Sequence, residues 1–205
     1  MPSTTFYNLP PEKRERLLAA ARAEFVRVPY EEASVNRIIQ AAGIPRGSFY
    51  MYFTDKEDLF RHLMECYARL LEERMAQLLD RNGGDLFAAF LELFDHIRGV
   101  WRQGEYREIG QILCRNRQMQ PWLFLDRAGP EAVLNRLRDR VDLSRLDLQT
   151  ETDLSDLFHL LVTTLAGTLV TAQTVREEEA RARLVRVLGI LQRGAASKAP
   201  SCEEA

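Results

Sequence analysis

Ser34-Val35-Asn36-Arg37-Ile38-Ile39-Gln40-Ala41-Ala42-Gly43-Ile44-Pro45-Arg46-Gly47-Ser48-Phe49-Tyr50-Met51-Tyr52-Phe53 decides the fold of this 205-residue chain. Ser34 is predicted as a helix N-cap, its hydroxyl accepting a bond from an orphan backbone N–H. Val35, Ile38, Ile39 and Ala42 then recur at helical spacing and form one apolar stripe. Gly43 follows where the chain must take a positive φ, which glycine does without steric cost. Ile44 fills the angle between two helices, and Pro45 suits the first turn of the second, where its missing N–H costs nothing. Phe49 and Phe53, four apart, face the core, which leaves Arg46, Gly47, Ser48, Tyr50 and Tyr52 for other faces. Gly47 costs roughly 1 kcal/mol relative to Ala in a helix. Either a bare backbone there lets the helix lie close to a nucleic acid, or it marks a sharp corner in an ordinary bundle. Two short helices joined by a tight turn fit a DNA major groove, so the stretch points to sequence-specific DNA binding and away from an enzyme.

The following residues add weight. Thr54-Asp55-Lys56-Glu57 reads as a capping box, with Thr54 as N-cap and Glu57 reaching back. Lys56 falls in the first turn of the helix so opened, where backbone N–H groups and the dipole attract phosphate. With these residues in place the chain resembles the TetR family of transcriptional regulators. The resemblance runs from about residue 12 to 60 and rests on Phe25, Ser34-Val35, Ile38, Ala41-Ala42-Gly43-Ile44, Gly47-Ser48-Phe49-Tyr50, Tyr52-Phe53 and Lys56-Glu57-Asp58-Leu59, with no insertion between Gly43 and Lys56.

That resemblance implies a recognition helix from Pro45 to Met51, which carries Arg46, Gly47 and Ser48 to the DNA. It also implies that Ser34 and Arg37 approach DNA from the preceding helix, that Tyr50 and Tyr52 touch phosphates, and that Lys56 anchors a neighbouring phosphate. Two residues depart from the family's pattern. Ile39 stands where a close helix crossing favours Ala, and Pro45 stands where Ser or Thr supplies a phosphate contact.

Composition is compatible with this. The chain is long enough for one or two domains with a real core and carries a net charge of −2. The charge is uneven: residues 1–56 hold eight Lys/Arg against six acids, and the rest hold 20 against 24. A mildly basic head on an acidic body suits a reader of a short site. Cys66, Cys114 and Cys202 are odd in number and widely spaced, which fits a reduced cytoplasmic setting. No apolar run is read as approaching the roughly 20 residues of a membrane span, and the start of the chain does not read as a signal peptide.

The predicted architecture is all-α: an N-terminal three-helix helix-turn-helix domain (1–56), a helical effector-binding and dimerisation domain (57–194) and a disordered tail (195–205). A first helix opens near Asn8 and Pro10-Pro11, buries Leu17, Leu18, Ala21 and Phe25, and ends by Pro29. A helix from Asp55 to about Arg81 is shared by both domains and stops at Asn82-Gly83-Gly84. Asp85 caps the next, with Phe87, Phe90, Leu91, Phe94, Ile97 and Trp101 on its apolar face. After a break at Gln103-Gly104 come a helix through Ile109, Ile112 and Leu113, an irregular aromatic stretch Trp122-Leu123-Phe124-Leu125, and a helix to about Val141. Thr150 with Asp153 is a cap signature for a long helix through Leu154 to Leu169, and a last helix covers Glu177 to Gln192.

An aromatic stripe at helical spacing is ordinarily core. The family's second domain, however, is similar to a helical cage around a small ligand. Phe90, Phe94, Trp122, Phe158 and His159 are the predicted effector-binding residues, with Cys66 and Cys114 behind them, and an apolar or aromatic effector is expected. His62 and Cys66 share a helix face, but no further ligand accompanies them, so no metal and no cofactor is expected. The last two long helices, with Ala166-Gly167 small at mid-helix, are predicted to form a twofold four-helix dimer interface. The partners implied are a palindromic double-stranded operator, a small-molecule effector and a second copy of the chain. His62, His96 and His159 are isolated from any nucleophile and no glycine-rich phosphate loop occurs, so no enzyme is expected. A DNA-binding activator, or a helical ligand-binding or scaffold protein without DNA affinity, remain the alternatives.

Overall fold

The computed structural model describes residues 1–101, 108, 111–112, 115–116, 129–172 and 175–195. Among these residues every regular element is helical, and they divide into two compact units.

The first unit is built on Met1–Arg69. Its opening element is α1 (Thr4–Tyr7), a short helix absent from the sequence reading; Ser3 caps it by accepting the Phe6 N–H at 3.3 Å. Asn8 is the C-cap of α1, and the next helix opens at Pro10-Pro11 as expected, with Pro10 and not Asn8 as its N-cap. That helix, α2 (Pro11–Arg27), opens on Pro11 and buries Leu17, Ala21, Glu24 and Phe25, while Leu18 is half-buried. A single 3-10 turn, η1 (Tyr30–Glu32), leads into α3 (Val35–Ala42). Then come α4 (Arg46–Tyr52) and the long α5 (Lys56–Arg81), whose residues up to Arg69 belong to this unit. Their core is continuous and largely aromatic: Phe6, Phe25, Phe49, Phe53 and Phe60, with Leu17, Ile38, Leu59 and Leu63. Ile39 is itself buried, so the larger side chain is accommodated in the core.

Three residues far along the chain complete this unit. Ile112 is fully buried in its core, Glu108 pairs with Arg22 at 3.2 Å, and Asn116 Oδ1 accepts the Tyr30 N–H at 2.8 Å. Asn116 is buried, and its amide nitrogen donates to Ile112 O at 2.7 Å, so the same side chain is satisfied on both sides.

The cap of α5 corrects the expected box by one residue. Asp55 Oδ1 accepts the Asp58 N–H at 2.7 Å, and Asp58 Oδ2 reaches back to the Thr54 N–H at 3.2 Å, while Glu57 pairs with Arg61. The short Asp55 side chain reaches the third helical amide, and Asp58 takes the role assigned to Glu57. Burial alone would raise the Asp58 carboxyl, but the Met1 ammonium and the Thr54 donors outweigh it and hold it low.

The second unit holds Leu70–Arg98 and the described residues from Gly129 onward. Here α5 ends at Asn82-Gly83-Gly84, with φ of 58° and 77° at the two glycines. A side chain at Gly84 would place its Cβ 2.5 Å from Asp142 N, so the turn requires glycine for close approach as well as for conformation. Asp85 caps α6 (Leu86–Trp101) by accepting the Ala88 N–H at 2.9 Å, as expected. Next come α7 (Gly129–Leu137) with two 3-10 turns, α8 (Asp153–Thr171) and α9 (Glu177–Ala195). The core combines Leu78, Leu79, Phe87, Phe90 and Phe94 with Leu134, Leu161, Leu165, Leu184 and Leu188. At the start of α8 Thr150 and Asp153 pair as the cap signature implies, with the helix itself beginning at Asp153. Thr152 is the N-cap without a side-chain bond, and the Asp153 carboxylate takes the Gln149 and Thr150 N–H groups at 2.6 and 3.1 Å.

One expectation fails on α8. By length and composition this helix is apolar enough to cross a membrane, contrary to the sequence reading, because Thr, Gly and Ala extend its leucine stripe. It packs between α7 and α9 as a core helix, although less than half of the stretch is buried. The predicted break at Gln103-Gly104, Ile109, Leu113, Cys114, the stretch Trp122–Leu125 and the tail from residue 196 lie outside the described residues.

Candidate nucleic-acid interface

The turn between α3 and α4 follows from Gly43. Its φ of 63° and ψ of 38° end α3 in the left-handed region, and the N–H groups of Gly43 and Ile44 close on Gln40 O and Ile39 O at 3.2 and 3.0 Å. Pro45 stands just outside α4 as its N-cap, one residue earlier than the sequence placed it, so the helix runs Arg46–Tyr52. Phe49 and Phe53 are buried beneath it with ring centroids 5.9 Å apart, and Phe53 continues onto Phe6 at 4.8 Å. Because these rings fix one side of α4 inward, Arg46, Gly47, Tyr50 and Met51 face outward; Tyr50 is 50% and Met51 59% exposed. Pro45 is exposed as well, and Ser48 and Tyr52 are half-buried at the margin. A Cβ added at Gly47 would meet nothing within 4 Å, and its φ is not positive, so neither a corner nor close packing within the chain requires glycine there.

On α3, Arg37 is exposed and Ser34 half-buried. Ser34 occupies the N-cap position but makes no side-chain capping bond, which corrects the expected role of its hydroxyl. The capping group comes from α2 instead. The buried Glu24 accepts the Ser34 N–H at 3.0 Å while Arg27 grips the same carboxylate at 2.7 and 2.8 Å. The Arg27 hydrogen bond, helped by the Ser34 N–H and the charge of Arg37, holds the Glu24 carboxyl below its ordinary range despite burial. Its inward position was legible in principle, since Glu24 follows Leu17 and Ala21 at helical spacing.

Lys56 differs most from expectation. Its Nζ donates to Tyr30 O, Glu31 O and Ala33 O at 2.6, 3.1 and 3.0 Å and lies 4.5 Å from the centroid of the Tyr30 ring. An ammonium has three donors, and here all three are spent on backbone carbonyls at and just after η1, one of which, Tyr30 O, also accepts the Ala33 N–H at 3.2 Å. Lys56 thus clasps the turn that feeds α3 and does not aim outward as a phosphate anchor. Asn116 holds the same turn from its other side through the Tyr30 N–H.

The predicted effector residues separate. Phe90 and Phe158 meet edge to face at 5.5 Å, with Phe94 buried in the same unit. His159 is exposed and so lies off the face that buries Phe158; Trp122 is outside the described residues. Cys66 belongs to the first unit, with His62 Nε2 at 3.8 Å and Arg69 Nη2 at 3.4 Å from its sulfur. Among the described residues no group of three His, Cys, Asp or Glu is placed to hold a metal ion. His62 is 5% exposed among Phe6, Tyr7 and Phe53, and burial first, then the charge of Arg69, lowers its pKa to about 4.

A glycine-ended helix, a tight turn and a second helix with a buried aromatic seat and an exposed polar face define a helix-turn-helix transcriptional regulator. The sequence model of the bacterial regulatory proteins of the tetR family matches residues 17–63. The transcriptional repressor AcnR of Corynebacterium diphtheriae is 30% identical over 195 residues, 92% of this chain and 94% of that protein. AcnR of Corynebacterium glutamicum is 31% identical over 159 residues, 77% and 80% of the two chains. A TetR-family regulator of Pectobacterium atrosepticum has a solved structure similar at a TM-score of 0.59, with 25% identity over 91% of this chain and 95% of that one. This chain belongs to the TetR family; it is a transcriptional regulator and not an enzyme.

Proposed function

We propose that the protein is a dimeric, ligand-released repressor that reads a palindromic operator through the exposed face of α4. The observation that carries this is the outward set Arg46, Gly47, Tyr50 and Met51 over the buried Phe49 and Phe53. The open space at Gly47 supports it, since a side chain there would be excluded only by something outside the chain. In this reading Arg46 contacts base edges, Pro45, Ser48, Tyr50 and Tyr52 line the backbone on either side, and Ser34 and Arg37 approach from α3. Lys56 acts through the turn it clasps. Repression is favoured over activation because both AcnR relatives are named repressors.

A second copy of the chain covers the open side of α8 and α9. Leu160, Val185 and Ile190 are 51, 42 and 61% exposed there, and Gly167 would meet nothing with an added Cβ. Such a face is costly to leave in water and suits an isologous contact. Twofold symmetry then places half-sites about one helical turn, ~34 Å, apart. The effector sits among Phe90, Phe94 and Phe158, with Trp122 as a further candidate and His159 left aside by its exposure, and an apolar or aromatic molecule suits that lining. It releases DNA only through its differential affinity for two conformations of the head. The test is selection of preferred duplexes from a random pool, repeated with small molecules present. A selected palindrome whose occupancy falls with one compound supports the reading; a pool that never enriches overturns it.

A further inference from the structure

The recognition helix is a short element with a difficult end. It has seven residues, too few to hold itself together in water, and its last carbonyls have no partner within the helix. No glycine follows it: Phe53 is extended, at φ −130° and ψ 139°, so the usual left-handed C-cap is absent. The structure supplies the missing donors from the other end of the domain. Ser3 Oγ donates to Met51 O at 2.5 Å, and Ser3 N donates to Tyr52 O at 2.9 Å. The same hydroxyl accepts the Phe6 N–H, so one side chain caps the start of α1 and the end of α4 together. Three residues on, Phe6 is fully buried, its ring 4.8 Å from Phe53, 6.5 Å from Tyr52 and 5.2 Å from His62 of α5.

We propose that Ser3 and Phe6 are positioning residues for sequence readout: Ser3 closes the C-terminal end of α4, Phe6 wedges beneath it, and together they fix the angle at which α4 presents its outer face. Tyr50 and Met51 occupy the turn that Ser3 closes, and a helix freed at that end pivots about its fixed start, which turns the whole outer face, Arg46 included, away from the base edges. The N-terminal end of α4 is set independently by Gly43 and Pro45, which makes the two ends separable by mutation. The inference rests on the reading of α4 as the DNA-contacting helix.

The test uses the full chain with Ser3→Ala, Ser3→Thr and Phe6→Leu. Affinity is measured for the selected duplex and for a scrambled duplex of equal length at one ionic strength, alongside amide exchange along α4. Loss of one capping bond corresponds to about a fivefold fall in affinity for the selected duplex. Binding to the scrambled duplex is expected to hold, the Phe53 amide to exchange faster, and Ser3→Thr to restore both. Phe6→Leu keeps an apolar wedge and is expected to fold with the same loss of discrimination. Equal losses on both duplexes, tracking a lower melting temperature, would mean that Ser3 merely stabilises the fold and would overturn the proposal, as would variants that discriminate like the parent. If the parent protein itself shows no preference, the DNA reading fails first and the proposal falls with it; that outcome is distinct, because it appears before any substitution is made.

Discussion

Lowering the pH from 7.5 to 5 is expected to weaken the DNA-binding head through His62. The imidazole is 5% exposed and ringed by Phe6, Tyr7 and Phe53, and its pKa is lowered from 6.5 to about 4. In the unfolded chain it takes a proton near its ordinary value, while the folded head refuses one until far lower pH. Between those values the unfolded state binds more protons, so stability rises with pH across the window and is lost as pH falls from 6.5 towards 4. At pH 5 the loss comes to about 2 kcal/mol, most of the shift having been traversed. Asp58, lowered from 3.8, contributes only at more acid pH, and His96 in the second unit is lowered by burial and by Arg74, adding a slope of the same sign. A comparison with His62→Leu isolates the head. Urea unfolding followed by circular dichroism at the two pH values, with amide exchange in α4 and α5 as a local probe, measures both proteins. The parent is expected to lose about 2 kcal/mol more than the variant on acidification. Equal losses in the two would refute the assignment of a neutral, buried His62.

Lys56→Met is expected to cost about 2 kcal/mol of stability by freeing three carbonyls, yet to leave the salt dependence of DNA binding unchanged. A slope shallower by about one would restore Lys56 as a phosphate ligand. Arg46→Ala is expected to relax base preference at one position of the selected site, whereas Tyr50→Phe weakens all sequences alike; an unchanged selection profile removes Arg46 from the readout. Leu160→Glu, on the open face of α8, is expected to convert a dimer into a single chain at micromolar concentration by sedimentation, and a parent that already sediments as one chain contradicts the interface. Operator DNA is expected to weaken effector binding by the factor with which effector weakens operator binding, read by calorimetry in both directions.

The helices were legible wherever local chemistry dictated them. Gly43 set the left-handed end of α3, the pair Phe49 and Phe53 set the inner side of α4, and Asn82-Gly83-Gly84 ended α5, all through backbone and spacing effects that a sequence displays. Several features depended on partners far away in the chain. Nothing near Ser34 indicates that its N–H is capped by Glu24, and nothing near Lys56 indicates that three carbonyls of the preceding turn will take its donors. The helix α1 is too short, at four residues, to show periodicity, although Ser3 before Thr4-Thr5-Phe6 is a cap signal. Ile112 and Asn116 read as parts of the second domain, and only folding brings them into the core of the first. In the second unit Phe90, Phe94 and Phe158 are buried, but burial alone does not separate a ligand-lining ring from a packed one. His159 shows the same limit from the opposite side, since its neighbour Phe158 is buried and it is not.

Competition binding to random duplex at about 0.15 M salt puts the central assignment to the proof. Enrichment of a twofold-symmetric site is expected, bound at least about a thousandfold more tightly than its scrambled counterpart. Equal affinity for the two duplexes would contradict the assignment of α4 as a reader of base sequence.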